Sequence, residues 1–370
     1  MITFEDATKH YPDGTVAVAG LNLTVETGCT TVFVGPSGSG KTTSLRMINR
    51  MVEPTSGSVL IDGKDIRSQD PALLRRSIGY VIQQAGLFPH RTVLDNIATV
   101  PRLLGWSRSR SRAKANELLE LVGLEPSQAK RYPHQLSGGQ QQRVGVARAL
   151  VADPPILLMD EPFSAVDPIV RAGLQEELAR LQSELRKTIV FVTHDIDEAV
   201  RIGDRIAVFR PGGELAQCES PERLLAEPVD AFVESFIGYD RGVRRLSFFP
   251  ARNLSLREEA IVDHQSKVEW ALSAATVSGE PWVLVVDHER RPLGWVSDAQ
   301  LRDSPSGLAL AELPRTPYGH TFDVAGDSLR AVLDAAVLSP AGRAVGVDED
   351  GCVLGVVSQN DLGTALWSVS

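Results

Sequence analysis

Cysteine is scarce in this sequence of 370 residues, and long apolar runs are missing from it. Cys29, Cys218 and Cys352 lie far apart and form no CxxC pair, which argues against a disulfide framework or a zinc site. No apolar run approaches the roughly 18–20 residues that cross a bilayer. The first residues lack the basic and apolar stretches of a signal peptide. We therefore expect a cytosolic chain that reaches a membrane only through partners.

Basic residues are also few relative to acidic ones. The 38 Lys and Arg residues are outnumbered by 47 Asp and Glu residues, which gives a formal net charge of -9. Because nonspecific binding to nucleic acid needs a basic face, no nucleic-acid partner is expected. The 43% hydrophobic and 23% charged residues are typical of a globular protein, with a length that suits about two or three domains.

Short apolar runs alternate with helical patterns up to about residue 238. Such runs suit strands that are buried on both faces, as in a parallel sheet covered by helices. Between the second and third runs lies a predicted α-helical insert, about 85–150. The sequence therefore predicts an α/β domain over 1–238. The four runs are 30–34, 77–82, 155–159 and 188–192.

Residues 251–370 contain an internal repeat. Seven positions recur at an offset of 61 residues, as when Val286-Asp287 recurs as Val347-Asp348. Each copy is predicted to be a strand, a polar turn, a second strand and a helix. A repeat of this period indicates two similar modules that pack together. The segment 239–250 has no clear periodicity and is predicted to be a linker.

Residues 35–42 fit the pattern G-x-x-x-x-G-K-[ST], with a predicted strand before them and a predicted helix after them. The glycines let successive backbone N–H groups face one point, where the helix dipole adds positive potential. A glycine-rich turn that only links strand to helix would need neither the lysine nor the threonine. The predicted nucleotide-binding residues of this loop are Gly35, Ser37, Gly38, Gly40, Lys41, Thr42 and Thr43.

Asp160 and Glu161 follow the apolar run 155–159. A carboxylate at the end of a buried strand is costly unless a cation meets it. We expect Asp160 to hold Mg²⁺ together with Thr42, and Glu161 to orient the attacking water. Without the phosphate loop, two acids that face solvent would be the better interpretation.

Ser137 and Gln140 have the spacing of a capping box at the start of a helix. The same hydroxyl, with the amides of Gly138 and Gly139, also makes an anion site. The sequence therefore contains two helix starts suited to phosphate, about 100 residues apart.

Together these segments resemble the ATP-binding cassette (ABC) ATPases, in the family's order over 1–238. The resemblance implies a P-loop NTPase fold with a RecA-like core and a helical insert, which binds ATP and Mg²⁺. It also implies the roles of single residues. By this resemblance, Tyr11 stacks on adenine, and Gln83 is the Q-loop glutamine and an Mg²⁺ ligand. Residues 136–140 are the signature sequence, and Ser164-Ala165-Val166-Asp167 is the D-loop, with Val166 in place of the usual Leu. His194 is the switch histidine, which acts with Glu161 and Gln83.

The resemblance implies a second copy of the chain as partner, because a signature sequence meets the phosphate loop of a facing domain. Within the family, the sequence is most similar to ATPases of bacterial importers of glycine betaine, proline betaine, choline or carnitine. That implies a transmembrane permease, an extracytoplasmic solute-binding protein and a place on the cytoplasmic face of the membrane. Residues 84–135 would receive the permease. An importer ATPase for another solute, or a soluble ABC ATPase, remains as an alternative.

The repeated modules look like a tandem of α+β CBS domains. Such pairs often bind an adenine nucleotide, and an Asp after the second strand holds the ribose. The second copy has this residue as Asp361, whereas the first copy has Gln300 at the corresponding position. A module that only packs or dimerises is the alternative. Sensing of ionic strength at an anionic membrane is disfavoured, since 241–370 has 12 Lys/Arg and 17 Asp/Glu, a balance of 12 - 17 = -5.

Overall fold

The protein is described here from a computed structural model that covers residues 1–83, 85–164, 166–258 and 260–368. The chain divides into two compact units, Met1–Tyr239 and Asp240–Ser370. None of the described helices is both long enough and apolar enough to span a membrane.

The first unit consists of strands and helices that alternate outside one helical stretch. Its strands are β1 (Ile2–His10), β2 (Val16–Val25), β3 (Thr30–Val34), β4 (Ser56–Ile61), β5 (Lys64–Asp65), β6 (Ile78–Val81), β7 (Ile156–Asp160), β8 (Thr188–Val192), β9 (Arg205–Phe209) and β10 (Leu215–Glu219). Its helices are α1 (Lys41–Ile48), α2 (Pro71–Ser77), α3 (Val93–Ile97), α4 (Thr99–Leu103), α5 (Arg108–Leu121), α6 (Gly138–Leu150), α7 (Pro168–Leu185), α8 (Ile196–Ile202), α9 (Pro221–Ala226) and α10 (Ala231–Ile237).

The main sheet of this unit has the order β10-β9-β3-β8-β7-β6 among the described residues. All neighbouring pairs are parallel except β10 with β9. Every residue of β3, β7 and β8 is buried, as three of the four apolar runs predict, and β6 is buried except for the half-buried Tyr80. Because these strands and β6 are parallel, their carboxyl ends lie at one edge of the sheet, which is where ligands bind in such folds.

A second sheet, ordered β2-β1-β4-β5 and antiparallel, shares its core with the first. Phe4 of β1 packs in one buried cluster with Leu45 of α1 and with Phe33 and Phe209 of the main sheet. The rings of Phe33 and Phe209 lie 5.1 Å apart. The helix α1 is therefore held between the two sheets, and its first residue is Lys41.

The predicted helical insert is present. Over the described residues between β6 and β7, the regular elements are the helices α3 to α6 and two short 3₁₀ turns. α5 is packed by Ala115, Leu118 and Leu119, the apolar positions at helical spacing. Gly123 follows with a φ of 67°, a left-handed conformation that suits glycine at a helix end.

The second unit contains the same order of elements twice. Its described elements are α11 (Arg241–Arg245), β11 (Ile261–Asp263), α12 (Val268–Ser278), β12 (Trp282–Val286), β13 (Pro292–Ser297), α13 (Asp298–Arg302), β14 (Thr321–Asp323), α14 (Leu329–Leu338), β15 (Arg343–Val347), β16 (Val353–Ser358) and α15 (Gln359–Ser368).

Each module has a three-stranded sheet in which the first pair of strands is parallel and the second antiparallel. β12 and β15 begin at residues 282 and 343, so the 61-residue offset of the sequence holds in the strands. Leu284 and Trp295 of the first module share a buried cluster with Val345 and Val356 of the second. The two modules therefore pack through their sheets.

The segment 239–250, predicted from the sequence to be a linker, contains regular structure. It contains α11 and a 3₁₀ turn, Leu246–Phe248, and all but its first residue belongs to the second unit. Leu246 is buried in the core of the second module, against Phe322 and Leu329. The segment has no helical period visible in sequence because its helix is only five residues long.

Candidate functional site

Two glycines of the phosphate loop, Gly35 and Gly40, lie where any side chain would clash. Gly35 has a φ of 148° and Gly40 a φ of 83°. A Cβ on Gly35 would collide with the carbonyl of Phe209, and a Cβ on Gly40 with that of Ala17. Gly40 also caps α1. The loop therefore needs glycine for space as well as for backbone conformation.

Lys41 lies under this loop and is buried. Its Nζ donates hydrogen bonds of 2.8 Å to the carbonyls of Gly35 and Pro36. Burial lowers the pKa of Lys41, while the negative charges of Glu161 and Asp160 act in the opposite direction. The ammonium is thus aimed at the centre of the loop, where a phosphate would meet it.

Thr42 and Asp160 are brought together from α1 and β7. The Thr42 hydroxyl donates to Asp160 Oδ1 at 2.8 Å, and Asp160 is 2% exposed. Burial raises the pKa of Asp160, and the Thr42 hydrogen bond and the charge of Arg46 oppose that rise. A buried carboxylate beside a hydroxyl supplies hard oxygen ligands of the kind that Mg²⁺ takes alongside phosphate oxygens. The residues present fit such an ion.

Glu161 lies between Gln83 and His194. Gln83 Nε2 donates to Glu161 Oε2 at 3.0 Å, and His194 Nδ1 is 3.5 Å from Glu161 Oε1. The three residues follow β6, β7 and β8, which are neighbours in the sheet. Glu161 has a φ of 46°, a strained conformation for a residue with a side chain. The structure therefore places the three predicted catalytic residues in one cluster.

Ser137 forms the predicted capping box with Gln140 at the start of α6. This helix start opens into a cleft of about 660 Å³. The described lining includes Asp167 and the signature residues but none of residues 35–42. In one chain, the two helix starts suited to phosphate therefore lie in different clefts. The lining residues are Gly123, Leu124, Glu125, Gln128, Arg131, Ser137, Gly138, Gly139, Gln140, Arg143 and Asp167.

The other residues predicted to contact the nucleotide are more exposed than Lys41 and Asp160. Tyr11 is 38% exposed just after β1, with Lys9 Nζ 5.4 Å from its ring centre. Ser37 and Gly38 are exposed in the phosphate loop, and Thr43 is half-buried in α1. Ala165 of the predicted D-loop lies outside the described residues. These positions are accessible to a nucleotide, and their contacts stay predictions.

Asp361 of the second unit already has protein partners. It accepts hydrogen bonds from the backbone N–H and the hydroxyl of Ser358, and it pairs with Arg257. Burial alone would raise the pKa of Asp361, but the hydrogen bonds from Ser358 and the charge of Arg257 bring it below its usual value. Arg257 also lines a small cleft of about 210 Å³ with Glu280 and Arg343. These last two form an ion pair.

Two functional groups escaped the sequence analysis. Arg46 Nη2 lies 3.6 Å from Asp160 Oδ2, and its spacing of four residues from Thr42 on one helix face could have revealed it. Arg148 of α6 donates to the carbonyls of Ala85 and Gly86, just after Gln83. No sequence signal predicts this second contact, because it joins residues more than sixty positions apart.

The sequence and the structure were compared with known proteins. The family model described as "ABC transporter" matches residues 18–164. The chain is 44% identical to the osmoprotectant import ATP-binding protein OsmV of Salmonella typhimurium, over 100% of this chain and 97% of the relative. It is 43% identical to the choline transport ATP-binding protein OpuBA of Bacillus subtilis, over 98% and 95% of the two chains.

A solved structure is similar to the first unit. It is the dimeric, post-hydrolysis state of the ATP-binding cassette MJ0796 bound to ADP and Pi. The identity is 38% and the TM-score 0.55, over 60% of this chain and 98% of that one.

Replacing Glu161 by Gln should reduce ATP turnover by about 10²–10⁴-fold, since the amide cannot accept a proton from water. Binding of ATP should change little, because the phosphate loop and Lys41 are untouched. Steady-state phosphate release and equilibrium binding of a fluorescent ATP analogue measure the two effects. Glu117→Gln, on the exposed side of α5, is the matched control. Turnover near the wild-type value in Glu161→Gln would rule out Glu161 as the base.

Proposed function

The chain belongs to the ABC transporter family and is an ATPase of that family, and from this premise we propose that it energises the import of quaternary-amine osmoprotectants. The proposed solutes are glycine betaine, proline betaine, choline and carnitine. The observation that carries the proposal is the 43–44% identity to osmoprotectant and choline ATP-binding proteins, which extends over both units. A likeness limited to the ATP-binding unit would not favour one class of solute.

The cluster at the carboxyl edge of the sheet suits hydrolysis of ATP. The backbone amides of residues 35–42 and the Lys41 ammonium hold the phosphates. Glu161 takes a proton from the water whose oxygen bonds to the γ-phosphorus, while the bond from that phosphorus to the bridging oxygen breaks and leaves ADP and phosphate. Thr42, Gln83 and Asp160 would hold Mg²⁺, which neutralises charge on the phosphates when bound.

Gln83 and His194 fix the Glu161 carboxylate from both sides. Gln83 presents its amide nitrogen to Glu161 at 3.0 Å, so its amide oxygen is the atom suited to a metal ion. His194 approaches the other carboxylate oxygen. These contacts orient the base, and an oriented base loses little entropy in the reaction.

We propose that the working unit is a dimer of this chain with two ATP molecules between the copies. The support is the separation of the two phosphate-facing helix starts into different clefts. Residues 35–42 of one copy would face Ser137, Gly138, Gly139 and Gln140 of the other. Each γ-phosphate would then be held from two sides. The dimeric state of the similar cassette bound to ADP and Pi agrees with this arrangement.

In the presence of ATP, Glu161→Gln should form a dimer, because slow hydrolysis prolongs the closed state. The double variant Glu161→Gln/Ser137→Arg should not form that dimer but should still bind ATP. In this variant a bulky cation replaces Ser137, the helix cap that would face the partner's nucleotide. Light scattering with size exclusion, with and without ATP and Mg²⁺, measures both. Adding Ser183→Arg instead, at an exposed position of α7, is the control. A double variant with Ser137→Arg that still dimerises with ATP would contradict the proposed arrangement.

The membrane permease is proposed to dock on the helical insert. A groove of about 260 Å³ runs between the edge strand β6 and the insert, and Tyr80, Phe88, Val100 and Arg148 are among its lining residues. Phe88 lies 39% exposed there, which suits an apolar helix end of a partner. This contact would place the chain on the cytoplasmic face of the membrane. A solute-binding protein outside the membrane would supply the solute to the permease.

Cells that lack this gene product should lose high-osmolarity uptake of at least one labelled solute among betaine, proline betaine, choline and carnitine. Wild-type protein should restore uptake, and the hydrolysis-deficient Glu161→Gln should not, because import requires turnover. Uptake of an unrelated labelled sugar is the control. If none of the four solutes depends on the protein, the osmoprotectant proposal is wrong while ATPase activity is unaffected; another importer substrate or a soluble role would then apply.

For the second unit, we propose a regulatory site for an adenine nucleotide, as in the CBS domains that its repeat resembles. Asp361 lies two residues into α15 and would accept the ribose hydroxyls. Its ion pair with Arg257 must open for that contact to form. The cost of opening this pair makes the proposed site weak in the absence of other contacts.

In a Lys41→Ala background, which removes the main phosphate lysine, Asp361→Asn should lower residual binding of AMP or ATP by about tenfold, as expected when a charge-assisted hydrogen bond is lost. Isothermal calorimetry on the full-length chain measures this binding. Asp298→Asn, at the corresponding helix start of the first module, is the control. Equal binding by both variants would favour a unit that only packs or dimerises.

A further inference from the structure

A buried carboxyl group follows His194 by four residues in the chain. Glu198 of α8 is 6% exposed. Its Oε2 accepts a hydrogen bond of 2.5 Å from the Thr193 hydroxyl, and its Oε1 accepts one of 3.0 Å from Gln175 Nε2. Burial raises the pKa of Glu198, and the hydrogen bonds from Thr193 and Gln175 oppose that rise. Both oxygens of this buried acid are therefore paired, as is usual for buried polar groups.

Thr193 precedes His194 and anchors it. The Thr193 N–H donates to the carbonyl of Phe33 at 3.1 Å, and its hydroxyl accepts the N–H of Asp195 at 3.0 Å. Both neighbours of His194 are thereby fixed, although the imidazole itself is 63% exposed. An exposed side chain takes its position from its backbone, so the 3.5 Å approach of His194 to Glu161 depends on Thr193.

The other oxygen of Glu198 faces α7, the helix that follows β7 and the loop after Glu161. Gln175 of α7 makes the hydrogen bond to Glu198. Arg171, one turn earlier, attracts the Glu198 charge and donates to the Val166 carbonyl at 3.0 Å. Glu198 thus joins the segment that carries His194 to the loop that leaves Glu161. Both segments end at the same catalytic pair.

We propose that Glu198 is a positioning residue for ATP hydrolysis, which holds His194 against Glu161 through the Thr193 hydroxyl. It acts on turnover and leaves nucleotide binding unchanged, because its partners lie outside residues 35–42. The inference rests on the ATPase activity of the chain and is independent of the solute. Its bond to Thr193 requires an acceptor oxygen, which glutamine also provides.

Glu198→Ala and Thr193→Val should each lower kcat about 10–100-fold, the loss expected from a shift of a catalytic group by about 1 Å. KM for ATP should stay within about twofold. Glu198→Gln should recover most of the lost kcat, since its amide oxygen accepts the Thr193 hydroxyl. The double variant Glu198→Ala/Thr193→Val should be no slower than the slower single variant, because both changes break the same bond.

Glu184→Ala is the matched control, since this residue of the same helix is exposed and pairs with Arg180 at the surface. An unchanged kcat in Glu198→Ala, parallel losses of kcat and ATP affinity, or additive effects in the double variant would each overturn the inference. If Glu198→Ala does not fold, the near-isosteric Thr193→Val and the conservative Glu198→Gln carry the test. A wild-type chain without ATPase activity would instead count against the proposed function itself.

Discussion

Glu161 is held at the end of β7 by Gln83 on one side and His194 on the other, and the chemistry of the site depends on this contact. The contact exists because β6, β7 and β8 are adjacent and parallel, so that the residues after them meet at one edge. These contacts give the Glu161 carboxylate a defined orientation at this edge. The strained φ of Glu161 is the local cost of that placement.

The neighbouring strand β3 supplies the other half of the site through the phosphate loop. Gly35 and Gly40 leave room for the carbonyls of Phe209 and Ala17, and Lys41 bonds the loop from below. Burial lowers the pKa of Lys41 and raises that of Asp160, and the charge of each residue opposes the shift in the other. Each group therefore reduces the cost of burying the other's charge.

The second unit is stabilised by packing between its two similar modules. Neither three-stranded sheet covers its own apolar face, and Leu284, Trp295 and Val345 fill the space between the two. Ion pairs add to this packing, with Glu280 of the first module contacting Arg343 of the second. Asp361 takes part in the same charged group through Arg257. These ion pairs join the two modules at the same cleft.

The sequence by itself determined the buried strands, the phosphate loop, the capping box at Ser137 and the repeat, because each depends on residues close together in the chain or on a regular spacing. It also named Gln83, Glu161 and His194, through the resemblance to the ABC ATPases. Only the tertiary structure decided which of these side chains touch. The contacts of Glu198 with Gln175, of Arg148 with the loop after Gln83, and of Arg257 with Asp361 are of this kind. They join separate elements across the fold, where side-chain burial and strand order set the distances and local sequence carries no signal of them.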